Sequence, residues 1–195
     1  MALLEKKGKK EGFFLMVEGG RIDHVAHAND PAGTIGDTFA FDNAVKVALD
    51  YAKKDKDTLV VVVADHETGG LTIGAGGEDV KADITLLSRL TKTAEFMGKQ
   101  IKADGSNIDA VFAQYAGIND LSAAERTGIQ SASKKALAVA NVISARAGIK
   151  FASTGHTGVT VPVMAVGDKE HEFTGLLDNT EIPKIIAEAM DLDLN

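Results

Sequence analysis

Three short apolar segments dominate the hydrophobic pattern of the chain. They are residues 12–17 (GFFLMV), residues 58–64 (TLVVVVA) and residues 159–166 (VTVPVMAV). Nearly continuous apolar character, without alternation, is typical of strands covered on both faces of a sheet. Pro162 cannot donate a ladder hydrogen bond, so we place the third strand near a sheet edge or at a bulge. The pattern predicts three buried strands.

A helix is predicted between the first two strands, over residues 38–54, with Asp37 as its N-cap. Its apolar positions recur at helical spacing. They are Phe41, Val45, Ala48, Leu49 and Ala52. A strand, a crossover helix and a second strand form a βαβ unit, which implies parallel pairing. The predicted fold class is therefore α/β, with part of a largely parallel sheet flanked by helices.

Residues 83–147 are predicted to be mainly helical, as an insertion within the single segment 1–195. Ser122 and Glu125 have capping-box spacing, and the predicted helix continues from there through an alanine-rich stretch to Gly148. A C-terminal helix is predicted over residues 182–192, with Pro183 in its first turn. Residues 74–79 (GAGGED) do not complete a phosphate-loop motif and are interpreted as a flexible turn.

Composition excludes several classes of partner and site. The 195 residues include 21 basic and 28 acidic side chains, and the net charge of −7 argues against a nucleic-acid partner. There is no cysteine, hence no disulfide or thiolate metal site. The start of the sequence lacks the apolar core of a signal peptide, and the longest apolar stretch is too short to span a bilayer. The sequence predicts a soluble chain without a membrane partner.

Side chains that can bind metal gather beside the three predicted strands, where α/β sheets commonly place their ligands. Four of the five histidines lie in these places, and His171 is interpreted as a solvated loop residue. The candidate ligands are Glu18, Asp23, His24 and His27 after the first strand, Asp65 and His66 after the second, and His156 before the third. Each group alone is more often a surface pair, a polar loop or a turn. Together they predict a metal site.

The spacing suggests how the ligands divide. Asp23 and His27 are four residues apart, so one helical turn would put them on the same face, whereas His24 is rotated away. Asp65 and His66 can converge at the irregular end of a strand, and zinc accepts imidazole nitrogen with carboxylate oxygen. Glu18 could reach a separate cation, for which oxygen ligands favour magnesium. No nucleophile elbow or Cys–His pair is present, and Ser153 near His156 has no identified orienting acid.

The motifs VEGGRIDHVAH, ADHETGG and GHTG, in this order, resemble those of the alkaline phosphatase family across essentially the whole chain. The resemblance implies two zinc ions and one magnesium ion in the parent enzyme, which hydrolyses phosphate monoesters. It implies a first zinc held by Asp23, His27 and His156, and a second held in part by Asp65 and His66. Glu18 would bind magnesium, and His24 would contact phosphate through water. A homodimer and a periplasmic or secreted parent enzyme are also implied.

One departure from the family is decisive for activity. Family members use a serine nucleophile in an Asp-Ser-Ala motif, and they have further metal and phosphate ligands. All of these residues precede the strand that ends in VEGG, which is residues 17–20 here. This sequence contains no Asp-Ser-Ala motif. We therefore interpret the chain as the C-terminal part of an alkaline phosphatase, with an incomplete fold and no catalytic nucleophile of its own. We expect it to bind one zinc ion, and a second one only weakly, so that the metal sites are partly occupied. We expect little or no activity.

Two alternatives remain open from the sequence. The chain could be a non-catalytic module that binds metal or forms a dimer, because it lacks a nucleophile. It could also derive from a related superfamily phosphomutase or phosphodiesterase, since a strand ending in Asp-His is shared more widely.

Overall fold

Helices account for most of the regular structure in the computed structural model, which describes residues 2–8, 12–74 and 81–194. A short 3₁₀ helix, Glu170–Glu172, follows the last strand. No helix within the described ranges is both long enough and apolar enough to cross a membrane. The α-helices are α1 (Ala2–Gly8), α2 (Arg21–His27), α3 (Pro31–Ala52), α4 (Ile84–Arg89), α5 (Ala94–Gln100), α6 (Ile108–Ala116), α7 (Ala123–Ser131), α8 (Lys135–Arg146) and α9 (Glu181–Ala189).

The strands of the described residues form three antiparallel pairs. The strands are β1 (Val60–Val63), β2 (Glu67–Thr68), β3 (Leu71–Ile73), β4 (Ile149–Phe151), β5 (His156–Thr157) and β6 (Val163–Val166). β1 pairs with β6 in the register Val60 to Val166, β2 pairs with β5, and β3 pairs with β4. The helices and strands together confirm the α/β class.

The predicted parallel ladder is not observed among the described residues. The second and third predicted strands do pair with each other, as β1 and β6, but in antiparallel directions. Residues 12–17 form no helix or strand and join no described ladder, so α3 does not link two paired strands. An apolar run has the same composition in either strand direction, which explains the difference. The predicted burial is also wrong for these segments, because residues 12–17 are mostly exposed and β1 and β6 are half-buried to exposed. Pro162 lies just before β6, where it displaces no ladder hydrogen bond.

Helix α3 begins seven residues before the predicted start at Thr38. Asp30 caps it: its Oδ1 accepts a hydrogen bond from the Gly33 N–H at 3.1 Å, and its carbonyl oxygen accepts one from the Thr34 N–H. Pro31 occupies the first helical position, where its missing N–H costs nothing. The predicted N-cap, Asp37, therefore lies inside the helix.

The chain divides into two compact units. The first comprises Met1–Glu18, Asp42–Ala64 and Val161–Asn195, and the second comprises Gly19–Phe41 and Asp65–Thr160. In the first unit, the rings of Phe13 and Tyr51 meet edge to face, with centroids 6.4 Å apart. Its C-terminal helix α9 starts one residue before the predicted position and contains Pro183 in its first turn.

The second unit contains an apolar core built by helices α4 to α8 with β4. The range 83–147, predicted to be mainly helical, contains these five helices. The core side chains include Met97, Phe112, Ile129, Val139 and Ile143, all almost fully buried.

One helix predicted between Ser122 and Gly148 is in fact two, α7 and α8. Ala132 is extended (φ −65°, ψ 134°) and ends α7. The break lets α8 contribute Val139 and Ile143 to the same core as Ile129 of α7. The capping box is confirmed, because the Ser122 N–H donates to Glu125 Oε2 and the Glu125 N–H donates to Ser122 Oγ. Of the predicted turn at 74–79, residues 75–79 lie outside the described residues.

Candidate metal centre

Three donor atoms from α2 and β5 form a small triangle in the second unit. Asp23 and His27 are one turn apart on α2, and His27 Nε2 lies 3.3 Å from Asp23 Oδ1. The Nε2 atom of His156 lies 3.2 Å from His27 Nε2 and 3.6 Å from Asp23 Oδ1. The structure therefore brings together the three residues predicted for the first zinc, although 129 residues separate the two histidines.

The β2–β5 pair carries His156 to this position. In its ladder Thr68 lies opposite His156, and the Gly69 N–H donates a hydrogen bond to the Gly155 carbonyl oxygen at 2.9 Å. Gly69 has φ +88°, and a Cβ there would stand 3.0 Å from the Ala26 carbonyl oxygen and 2.8 Å from the Phe151 ring. Glycine is therefore required where the turn after β2 passes close to α2.

The His27 ring is oriented by its second nitrogen. His27 Nδ1 lies 2.6 Å from the backbone carbonyl oxygen of Thr154, which can only accept a hydrogen bond. Nδ1 must therefore carry the proton, and in the neutral ring Nε2 keeps its lone pair directed at the triangle. Hydrogen bonding of the outer nitrogen to a carbonyl is the usual support for a metal-binding histidine.

Asp65 and His66 form a second donor pair beside the triangle. His66 Nε2 lies 3.3 Å from Asp65 Oδ2, whose side chain is 88% exposed. The His66 ring stacks on the His156 ring, with centroids 3.5 Å apart and planes tilted by 21°. Donor atoms of Asp23, His66 and His156 all lie within 4.8 Å of one another, so the two predicted zinc sets are adjacent.

The charge state of Asp23 favours binding a cation. The hydrogen bond from the Thr68 hydroxyl, at 2.7 Å, is the largest influence and lowers the pKa of Asp23, with smaller contributions from His27, His156 and His66. Asp23 is therefore a carboxylate at neutral pH.

The triangle fits zinc by distance and by chemistry. Tetrahedral zinc with bonds of about 2.0–2.2 Å places neighbouring ligand atoms about 3.3–3.6 Å apart. The observed separations are 3.2, 3.3 and 3.6 Å. Two imidazoles and one carboxylate are a known ligand set of catalytic zinc, which keeps its fourth position open.

The other two predicted site residues are His24 and Glu18. His24 is exposed on α2 and takes no part in the triangle. Glu18 belongs to the first unit, where it is exposed and follows the apolar segment 12–17.

Two supporting residues were missed by sequence reasoning. Thr68 holds Asp23, and Glu67 accepts hydrogen bonds from the Gly70 N–H at 2.8 Å and from the Thr157 hydroxyl at 2.5 Å. Glu67 thereby fixes β5 against the turn that follows β2. The alternation of side chains in a strand was the available signal, because it puts Thr68 on the same face as His66.

Comparison with known proteins shows the family of the chain. The chain belongs to the alkaline phosphatase family, whose model matches residues 1–192. It is 43% identical over 185 residues to alkaline phosphatase 4 of Bacillus subtilis, covering 91% of this chain and 39% of that protein. The family match favours this assignment over the phosphomutase and phosphodiesterase alternatives.

Solved structures give the same result. The cold-active alkaline phosphatase of Shewanella sp. superposes with a TM-score of 0.85 at 32% identity, covering 94% of this chain and 47% of that one. A variant of TAB5 alkaline phosphatase with bound magnesium superposes with a TM-score of 0.57 at 27% identity, covering 96% and 38%. The chain thus spans less than half the length of each of these relatives.

Proposed function

We propose that the chain is the C-terminal metal-binding portion of an alkaline phosphatase that hydrolyses phosphate monoesters. The triangle of Asp23, His27 and His156 carries the proposal, because its donor set and separations fit zinc. The family match gives the reaction class.

In this proposal each ligand group has a separate task. Asp23, His27 and His156 hold the first zinc, and Asp65 and His66 supply two ligands of the second. Bound metal ions would neutralise charge on the attacking and leaving oxygens of a phosphoryl group. The chain's own contribution is to orient its donors, as the Thr154 carbonyl does for His27.

Glu18 and His24 complete the proposal. Glu18 would bind magnesium, in agreement with the magnesium bound in the TAB5 enzyme variant. His24, exposed beside Asp23 on α2, would contact phosphate through water. Both assignments depend on the family resemblance.

The remaining parts of the parent enzyme are also proposals. The sequence contains no Asp-Ser-Ala motif, so we propose that the serine nucleophile comes from outside these residues and that the chain alone has little or no activity. Apolar residues exposed on the segment 12–17 and on β1 and β6 support a larger sheet in the parent enzyme. That this sheet is largely parallel is proposed from the family resemblance alone. A homodimer and an exported parent enzyme are proposed from family resemblance.

Metal analysis of the purified chain tests this function. We expect about one zinc per chain after dialysis against dilute zinc, strongly reduced by His27→Ala or His156→Ala. His171→Ala is the matched control, since His171 is exposed on the 3₁₀ helix and pairs with Glu172. Zinc content that is unchanged in both ligand variants would overturn the proposed metal centre.

Catalysis needs a separate assay. The chain with zinc and magnesium should hydrolyse p-nitrophenyl phosphate no faster than the metals alone at alkaline pH. Robust turnover that His156→Ala abolishes would contradict the proposal that the nucleophile lies elsewhere.

A further inference from the structure

The hydroxyl group of Thr68 lies between the two donor sets of the metal centre. Its Oγ1 is 2.7 Å from Asp23 Oδ1, which belongs to the first set, and 3.2 Å from His66 Nδ1, which belongs to the second. Thr68 is half-buried in β2, where the ladder opposite His156 fixes its backbone. One side chain therefore contacts a ligand from each set.

Counting protons determines the direction of both hydrogen bonds. The Asp23 carboxylate can only accept, so the single hydroxyl proton of Thr68 is donated to it. The oxygen of Thr68 then presents a lone pair to His66, and a hydrogen bond requires the His66 proton to be on Nδ1. The neutral His66 ring consequently keeps a lone pair on Nε2, the atom that lies 3.3 Å from Asp65 Oδ2.

The same contact leaves Asp23 able to bind a cation. A carboxylate oxygen has two lone-pair directions, and Thr68 occupies one of those on Oδ1. The other remains for the triangle with His27 and His156, whose nitrogens lie 3.3 and 3.6 Å from Oδ1. Thr68 thus fixes the orientation of Asp23 and leaves one lone pair of Oδ1 available for a metal ion.

We propose that Thr68 is a positioning residue that couples the two metal sites, because its hydroxyl orients Asp23 of one site and sets the Nδ1–H tautomer of His66 in the other. The inference rests on the proposed metal centre and adds a residue that binds no metal itself. Its consequence is that removing one hydroxyl group weakens both donor sets together.

Two substitutions at this position separate the hydroxyl from the side-chain volume. Thr68→Val keeps the shape and removes both hydrogen bonds, whereas Thr68→Ser keeps the hydroxyl. Thr72→Val is the matched control, since Thr72 lies on the neighbouring β3 and its hydroxyl reaches the Gly70 carbonyl oxygen. Circular dichroism of each metal-free variant establishes that it is folded.

Zinc affinity, measured by competition with a chromogenic chelator, gives the first test. Thr68→Val should weaken binding about 10–100-fold, the usual effect of removing a group that orients a metal ligand. Thr68→Ser and Thr72→Val should bind close to the wild-type chain. If the wild-type chain binds zinc and Thr68→Val binds it equally well, the proposed role of Thr68 is wrong. If the wild-type chain binds no zinc, the proposed metal centre itself is wrong.

The tautomer of His66 gives a second test, and its measurement on the wild-type chain does not depend on any variant being folded. In the metal-free wild-type chain, ¹⁵N chemical shifts of the His66 ring should show a protonated Nδ1 and an unprotonated Nε2 at a pH where the ring is neutral. Thr68→Val should give a mixture of tautomers. A wild-type His66 protonated at Nε2 would overturn the proposal whatever the affinities are.

Discussion

The buried carboxylate of Asp30 accepts a hydrogen bond from the backbone N–H of Ala94 at 2.6 Å. Its other oxygen accepts from the Gly33 N–H, so one side chain serves both the first turn of α3 and the start of α5, 64 residues away. Asp30 is 2% exposed, so water cannot replace either contact. This residue joins the corner that follows α2 to the helical core.

Replacing Asp30 should destabilise the second unit. Asp30→Ala removes a helix cap and leaves a buried N–H without an acceptor, so we expect a loss of about 2–3 kcal/mol in the free energy of unfolding. Urea unfolding followed by circular dichroism measures it. The control is Asp37→Ala, inside α3, where a change below about 0.5 kcal/mol is expected. Equal losses in both variants would contradict the capping role of Asp30.

The acid stability of the helical core should depend on Glu125. Hydrogen bonds from Arg146 to the Glu125 carboxylate, at 2.7 and 2.8 Å, are the main cause that lowers the pKa of Glu125 to about 2, against an ordinary value of 4.5. Because the folded state has the lower pKa, the stabilisation is fully present above pH 4.5 and is lost as the pH falls toward about 2.

Glu125→Gln should remove this acid-range dependence. We expect the variant to lose about 1–2 kcal/mol at neutral pH and less near pH 2, since the pair is partly exposed to solvent. Glu95→Gln is the control, because the Glu95–Lys99 pair is exposed on α5 and solvent screening leaves it little effect on stability. Parallel stability–pH curves for the wild-type and Glu125→Gln chains would show that the Glu125–Arg146 pair does not cause the loss of stability in acid.

Two glycines in helices should respond in opposite ways to alanine. A Cβ on Gly98 of α5 would lie 2.8 Å from the backbone nitrogen of Ala136 and 3.0 Å from its Cα, so α8 would have to move. Gly98→Ala should destabilise by about 1–3 kcal/mol despite its better helix propensity. Gly128 of α7 has open space around its Cβ position, and Gly128→Ala should stabilise by about 0.5–1 kcal/mol. Thermal unfolding of both variants measures the contrast, and stabilisation by both would disprove the close packing.

Self-association of the isolated chain should depend on the apolar segment 12–17. Phe14, Met16 and Val17 are 62%, 76% and 59% exposed, which is unusual for neighbouring large apolar residues. We expect oligomers by light scattering, and a monomer after the double substitution Phe14→Ser with Met16→Lys. Leu176→Lys, between the 3₁₀ helix and α9, should leave the oligomers unchanged. A monodisperse wild-type monomer would contradict this expectation.

Local patterns predicted the parts of the site that are close in sequence. The spacing of Asp23 and His27 was sufficient to place them on one face of α2. His156 comes close to Asp23 and His27 because β2 pairs with β5. Strands of two residues have no recognisable pattern in the sequence, so this pairing was not predictable from it. The resemblance to the family supplied that contact. Thr68 was missed for a similar reason, because its partner Asp23 is 45 residues away.

Helix ends were harder to predict than helix faces. The stretch before Thr38 contains Gly33 and Gly36, which favour a loop by propensity, yet α3 begins at Pro31 because the Asp30 cap and buried packing outweigh that preference. The break between α7 and α8 follows from packing in the core. Strand direction was not predictable, since an apolar run has the same composition in either orientation.

The wide sequence separation of His27 and His156 has a consequence for stability. A cation held by Asp23, His27 and His156 would act as a cross-link that closes a loop of more than a hundred residues, and such a closure lowers the entropy of the unfolded chain. Helices α4 to α8 all lie within that loop. Zinc should therefore slow amide hydrogen exchange in helices that never touch the ion. The three metal ligands would then also stabilise the fold of the helices between them.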